Sequence, residues 1–262
     1  MLNGVAPDMP YSRFSSGKWE RATTAVPREM ALTIYIDSQE LVTILCTPTM
    51  LTCLVLGFLY SEGIIADVSD VASMRVCEEE SLADVRLSNP GPGLPARRVL
   101  SSGCGGGVSF SAESRRVNSD LVVAPEQVLS LMKQLQAQAG LFRLCGGVHT
   151  SALSDTRNLL VVAEDIGRHN TLDKIAGQCL LTALPTRDRL LLTTGRVSSE
   201  VLTKAARMGV PVVVSRSSPT ERSVLLAREL GITLVGYARG ERLSSYCHDE
   251  RLALTHSQEQ RV

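Results

Sequence analysis

A cysteine set among four glycines, in Ser101-Ser102-Gly103-Cys104-Gly105-Gly106-Gly107, is the residue of this chain best suited to covalent chemistry. Glycines add no side-chain surface for burial, and each costs conformational entropy that a merely structural loop avoids. Such a loop lets the sulfur swing. A free thiol has a pKa near ~8.5 and becomes a nucleophilic thiolate at neutral pH only beside a positive charge or a helix N-terminus. The same glycines would also suit a tight turn in which Cys104 is incidental. The seven cysteines, at 46, 53, 77, 104, 145, 179 and 247, are odd in number and never at C-x-x-C spacing. That pattern argues against a disulfide framework or a closed zinc site. Cys46, Cys53 and Cys179 lie in apolar patterns and read as core.

The second focus is a set of arginines, one after each run that reads as a strand. Arg168 lies in Glu164-Asp165-Ile166-Gly167-Arg168-His169-Asn170, Arg196 follows Gly195, Arg216 follows Ser215, and Arg239 and Arg242 bracket Gly240-Glu241. In an open α/β sheet such exits gather at one edge, where helix N-termini offer free N–H groups. Free amides at three helix starts and these guanidinium groups would together make a local anion trap, with phosphate or pyrophosphate as its guest. The plainer alternative pairs each arginine with Glu164, Asp165, Glu200 or Glu221. His149 and His169 could act as ligands or acid–base groups, although a lone histidine is more often structural. No His, Cys and carboxylate spacing matches a metal cage, so no protein-ligated metal is expected.

These residues need elements to hold them. Residues 1–28 are polar and without sustained period and read as a loosely ordered arm. A small α+β domain is expected over 29–118. It contains a hairpin at 31–36 and 41–46, a helix through Leu51, Leu54, Val55, Phe58 and Leu59 introduced by Thr47-Pro48, and short β runs at 73–77, 84–87 and 98–100. An α/β domain over 119–262 opens with a helix from Pro125 to Gly140, whose stripe is Val128, Leu131, Met132 and Leu135. Strands at 159–163, 190–194, 212–215 and 232–237 then alternate with helices at 172–180, 201–206 and 219–230. This alternation predicts a largely parallel sheet covered by helices.

Composition bounds the partners. The 262 residues carry 27 Lys+Arg and 27 Asp+Glu, so binding nucleic acid through bulk charge is not expected. Hydrophobic residues are 44% and aromatics 4%, which requires a largely aliphatic core. The apolar stretch Met50–Leu59 is far short of the ~20 residues that span a bilayer, so no membrane association is expected. MLNGVAPDMPYSRF lacks the pattern of a secretory signal, and a cytoplasmic location is expected.

Several segments, in this order, resemble the FdhD family of formate dehydrogenase accessory proteins. They are Gly57-Phe58-Leu59-Tyr60-Ser61-Glu62-Gly63-Ile64-Ile65, the 101–107 loop, Gly146-Gly147-Val148-His149, the 164–170 block with Asp173-Lys174, Thr194-Gly195-Arg196-Val197-Ser198 with Glu200, Ser218-Pro219-Thr220, and Leu234 through Gly240. The resemblance implies a C-terminal part similar in fold to cytidine deaminases, and a homodimer. It also implies a sulfur carrier, a sulfurtransferase-type role in which a cysteine desulfurase loads Cys104 as a persulfide. The sulfur would pass to the molybdenum of the bis(molybdopterin guanine dinucleotide) cofactor, bound as substrate and imitated by GDP, for formate dehydrogenase. Tyr237, Ala238, Arg239, Gly240, Glu241 and Arg242 match the stretch that contacts this cofactor, and Arg168, His169, Arg196 and Arg216 are expected to join them. One departure stands out, because family members carry Cys-x-x-Cys in the loop and the partner position here is Gly107. Cys104 then works alone, or Cys145 or Cys247 assists. Loss of the second cysteine favours a rival reading, a non-catalytic chaperone that holds the cofactor. A zinc deaminase would need His-x-Glu and Pro-Cys-x-x-Cys segments, and neither is present.

Overall fold

The computed structural model describes residues 4–89, 99–100, 108–109 and 116–253. In chain order its elements are β1 (Asp8–Ser15), β2 (Lys18–Ala25), β3 (Met30–Ile36), β4 (Gln39–Cys46), α1 (Leu51–Ser61), β5 (Val71–Cys77), β6 (Leu82–Leu87), β7 (Val99–Leu100) and β8 (Val108–Ser109). They continue as α2 (Pro125–Gln138), α3 (Gly140–Cys145), β9 (His149–Ser154), β10 (Leu159–Asp165), α4 (Arg168–Leu181), β11 (Leu190–Thr193), α5 (Ser199–Arg207), β12 (Val212–Ser215), α6 (Glu221–Leu230), β13 (Thr233–Arg239) and β14 (Arg242–Cys247). The protein is a mixed α/β structure. No helix among the described residues is long and apolar enough to cross a membrane.

Two compact units emerge, and both are discontinuous in sequence. One comprises Met1–Ala112, Gln138–Thr150 and Ala163–Thr182; the other comprises Glu113–Ala137, Ser151–Val162 and Ala183–Val262. The sequence pattern predicts one boundary between the two domains, at 118/119. The arrangement differs because α4 joins the first unit through a close helix contact with α1. A Cβ on Gly57 would lie 1.8 Å from the Asp173 carbonyl oxygen, and one on Gly177 would lie 1.9 Å from that of Cys53. Only glycine permits backbones to approach this closely.

In the first unit, β3 buries Met30, Leu32, Ile34 and Ile36 while Ala31 faces water, the period-2 pattern of a sheet covered on one face. The sheet order is β4-β3-β6-β5, with β3 and β6 parallel. Its apolar face packs with Leu54, Val55, Phe58 and Leu59 of α1. That helix starts at Leu51, after Met50 in the left-handed region, rather than at the predicted Pro48. The expected arm is a hairpin over most of its length. β1 and β2 pair from Asp8↔Ala25 to Ser15↔Lys18, and Ser16 (φ 50°) and Gly17 (φ 78°) form the two-residue turn. No alternation marks it because both faces are exposed, with the Phe14 and Trp19 rings 5.3 Å apart and tilted by 52° near the tip.

The second unit holds a parallel ladder, β11 beside β12 beside β13, of short runs buried on both faces. Antiparallel β9 flanks β11, and antiparallel β14 flanks β13, giving the order β10-β9-β11-β12-β13-β14. The predicted parallel character therefore holds for the three central strands. β9 and β14 were not predicted as strands. The α2 stripe Val128, Leu131, Met132 and Leu135 is buried against Leu190, Leu192, Val212, Val214 and Val235.

Candidate functional site

Parallel pairing places the C-terminal ends of β11, β12 and β13 at one edge of the second unit. Main-chain bonds then lock the three exits together. Arg216 N donates to Thr193 O (3.0 Å), Val197 N to Ser218 O (3.1 Å), Thr220 N to Val197 O (3.0 Å) and Tyr237 N to Ser217 O (3.0 Å). Ser215 Oγ donates to Gly195 O at 2.7 Å and accepts from Ser217 N at 2.9 Å. The result is a shared rim on which Arg196, Arg216, Tyr237 and Arg239 are exposed. Arg242 pairs with Arg239 across the Gly240-Glu241 turn. Ala238 is fully buried in the core, so it offers this rim only its backbone.

Tyr237 is unusual on this rim. Its φ is 50°, a left-handed conformation uncommon for a bulky residue. A bulge between Gly236 and Arg239 imposes it, and a Cβ at Gly236 would meet the Tyr246 ring at 2.9 Å. Strain held by its surroundings is characteristic of ligand-binding positions. The Arg239 guanidinium carbon lies 5.8 Å from the Tyr237 ring centroid, a cation–π pair that leaves both groups exposed.

The first unit carries the remaining arginine. Glu164, the next-to-last residue of β10, caps α3: its carboxylate accepts from Leu141 N (2.7 Å), Phe142 N (2.9 Å) and Thr150 Oγ1 (3.2 Å). Asp165 turns inward, where Oδ1 accepts from Gly167 N (2.8 Å) and Asn170 Nδ2 (2.8 Å), and Oδ2 pairs with Lys174 Nζ at 2.6 Å. Two of the four supposed arginine partners, Glu164 and Asp165, are thus engaged elsewhere. Arg168 opens α4, its Nε is buried without a hydrogen-bond partner, and no side chain caps this helix. An orphaned buried donor beside uncapped amides suits an anionic group. His149 feels the same environment. Burial, and then the Arg168 cation, lower its pKa below the ordinary 6.5 against an opposing pull from Asp165, so the imidazole is neutral at pH 7.

None of Arg168, Arg196, Arg216, Arg239 and Arg242 enters an ion pair among the described residues. The three helix starts are not equivalent, however. Thr220 and Ser223 close the start of α6 in a capping box, which corrects the expectation of free amides there, whereas the N-caps of α4 and α5 have no side-chain cap bond. His169 is the second residue of α4.

Cys104 and its glycines lie outside the described residues. The described residues on either side of that segment pair antiparallel, Leu100↔Val108 and Val99↔Ser109. Five of the other thiols are subdued. Burial and the Asp165 carboxylate push Cys46 to about 12, and burial and neighbouring Cys53 push Cys179 to about 11. Burial also raises Cys53, Cys145 and Cys247. Cys145 Sγ donates to Leu141 O at 3.2 Å and Cys247 Sγ to Ile232 O at 3.4 Å. Among the described residues no group of three or more His, Cys, Asp or Glu is placed to hold a metal.

Lys174 and Thr47 were not singled out from sequence as parts of this turn. Lys174 is four residues after Asn170 on α4, a spacing that puts both on one helix face, and this was the available signal.

Comparison with known proteins extends these observations. Residues 27–253 match the model of the FdhD/NarQ family. The chain is 39% identical over 248 residues to the sulfur carrier protein FdhD of Bacillus subtilis (strain 168), covering 92% of this chain and 95% of that one. It is 38% identical to the protein of that name from Geobacillus kaustophilus (97% and 100% covered) and 36% to that of Staphylococcus aureus strain MRSA252 (96% and 98% covered). The fold matches a crystal structure from Desulfotalea psychrophila, described as that of a formate dehydrogenase accessory protein, with TM-score 0.80 at 24% identity over 95% of this chain and 99% of that one. The family match and the relatives both span the Cys104 loop, the Arg168 turn and the arginine rim, and the chain belongs to the FdhD/NarQ family.

Proposed function

We propose that this protein is a sulfur carrier that serves formate dehydrogenase by moving sulfur from a cysteine desulfurase to the molybdenum of a bis(molybdopterin guanine dinucleotide) substrate. The observation that carries this reading is identity of 36–39% over more than nine-tenths of the chain to relatives named sulfur carrier protein FdhD. Cys104 is the acceptor. Its thiolate attacks the outer sulfur of the desulfurase persulfide, so that one S–S bond forms as another breaks and the desulfurase cysteine leaves as a thiolate. The exchange is redox-neutral and needs no metal or activated water.

The substrate is held through its phosphates. Arg196, Arg216, Arg239 and Arg242 supply cations at the rim of the second unit, and Arg168 with the start of α4 supplies a donor set in the first. The exposed Tyr237 ring offers a stacking face for guanine. GDP, which shares the guanine and diphosphate, is bound by either set on its own, and the working protein is a homodimer in the cytoplasm.

A second reading is a cofactor chaperone without sulfur chemistry, favoured by Gly107 in place of a second loop cysteine. Formate dehydrogenase activity in cells lacking their own carrier separates the two. Wild-type protein restores activity in both, whereas Cys104→Ser fails if the protein is a carrier and succeeds if it is a chaperone.

A further inference from the structure

Arg168 is the first residue of α4, and the residues on both sides of it are pinned. Gly167 is held through its N–H by Asp165 Oδ1, and Asn170 is held twice, because Nδ2 donates to Asp165 Oδ1 and to Leu45 O, each at 2.8 Å. The pins lead back to one residue of the β4–α1 connection. Thr47 N donates to Asp165 Oδ2 at 3.0 Å, Thr47 Oγ1 accepts from Ile166 N at 3.1 Å, and Thr47 O accepts from Lys174 Nζ at 3.1 Å. Lys174 also donates to Thr49 Oγ1 (2.9 Å) and Glu164 O (3.1 Å) and pairs with Asp165. Thr47, Asp165 and Lys174 are completely buried.

Burying a carboxylate and an ammonium is expensive, and an apolar cluster of similar volume holds two elements together as well or better. Holding a backbone turn in one conformation is different, because it requires directed hydrogen bonds to particular N–H and C=O groups. Every bond of this network ends on the Glu164–Gly167 backbone, on the 45–49 connection, or on the members themselves. None reaches Arg168. The side chain that emerges from the clamped turn keeps its buried Nε without a partner.

We infer that Thr47, Asp165, Asn170 and Lys174 are positioning residues, whose buried network fixes the Gly167–Asn170 turn so that Arg168 is aimed at a phosphate of the bound nucleotide. The inference rests on the phosphate-binding reading given above. It assigns the network to ligand affinity, in addition to its contribution to folding.

The test is calorimetric titration of full-length protein with GDP. Wild type binds, and Arg168→Ala weakens binding; if wild type does not bind, the phosphate reading fails first and this inference with it. Removing Asp165 or Lys174 singly leaves a buried charge and risks unfolding, so the milder Thr47→Val and Asn170→Ala carry the test. Each is expected to raise the Kd about tenfold, the equivalent of ~1.4 kcal/mol. Thr47→Ser, which restores the hydroxyl acceptor, is expected to return the Kd to the wild-type value. In the Arg168→Ala background the effects of Thr47→Val and Asn170→Ala should vanish, since there is no longer a guanidinium to aim. Wild-type Kd values in folded Thr47→Val and Asn170→Ala, or losses that simply add to that of Arg168→Ala, overturn the inference and leave the network a structural clamp.

Discussion

Glu164 and Asp165 are adjacent carboxylates with opposite fates. Glu164 is half-buried and closes the start of α3, whereas Asp165 is fully buried and shared among Lys174, Gly167, Asn170 and Thr47. A strand explains the split, since consecutive side chains leave opposite faces. His149 gives this region a pH signature. Its folded pKa lies below the ordinary 6.5, so the unfolded chain binds the proton more readily than the folded one. The stability contributed by His149 is therefore complete above about 6.5 and is lost as pH falls below it. His149→Gln should reduce the drop in Tm between about pH 7.5 and about pH 5.5; an unchanged drop contradicts the assignment. The raised thiols make a second residue-scale prediction. Cys46 and Cys179 are buried and protonated at neutral pH, so brief iodoacetamide treatment of native protein should leave both unmodified by peptide mapping. Rapid alkylation of either would show that its burial is wrong.

Among the elements, α1 and α4 depend on two glycines. Gly57→Ala or Gly177→Ala places a methyl within 2 Å of a backbone carbonyl oxygen, and separating the helices should cost about 3 kcal/mol in chemical denaturation. A loss under ~0.5 kcal/mol would mean that the helices do not cross there. The hairpin β1–β2 behaves differently because both faces are open and Trp19 is 72% exposed. Gly17→Val strains the turn at φ 78°, and it should speed amide exchange along β1 and β2 while leaving the global Tm nearly unchanged. Legibility followed the same lines. The α2 stripe and the runs Leu190–Thr193 and Val212–Ser215 were readable because burial imposes a pattern on them. β9 escaped because its six residues, His149–Ser154, mix polar and apolar types although five of them are buried, and hydroxyl bonds such as Ser151 Oγ to Thr193 Oγ1 (3.0 Å) satisfy them. β14 escaped because its residues are exposed or half-buried and no apolar alternation marks it. The arginine exits were legible from the local strand-to-glycine pattern. The Thr47–Lys174 clamp was not, since its partners are 127 residues apart.

For the molecule as a whole, equal numbers of acidic and basic residues conceal a local surplus of cations without an ion pair among the described residues. A site built from exposed arginines is sensitive to salt. GDP affinity should fall as ionic strength rises, and it should fall less steeply in Arg196→Gln and Arg216→Gln than in wild type; equal slopes in titrations would remove these residues from the site. The chemistry itself depends on the one thiol outside the described residues. Incubation of full-length protein with a cysteine desulfurase and cysteine, followed by intact-mass spectrometry under non-reducing conditions, tests it most directly. Wild type should gain one sulfur atom and Cys104→Ser none. A wild-type mass that does not change, or a Cys104→Ser variant that gains the same sulfur, would contradict the assignment of Cys104 as the carrier.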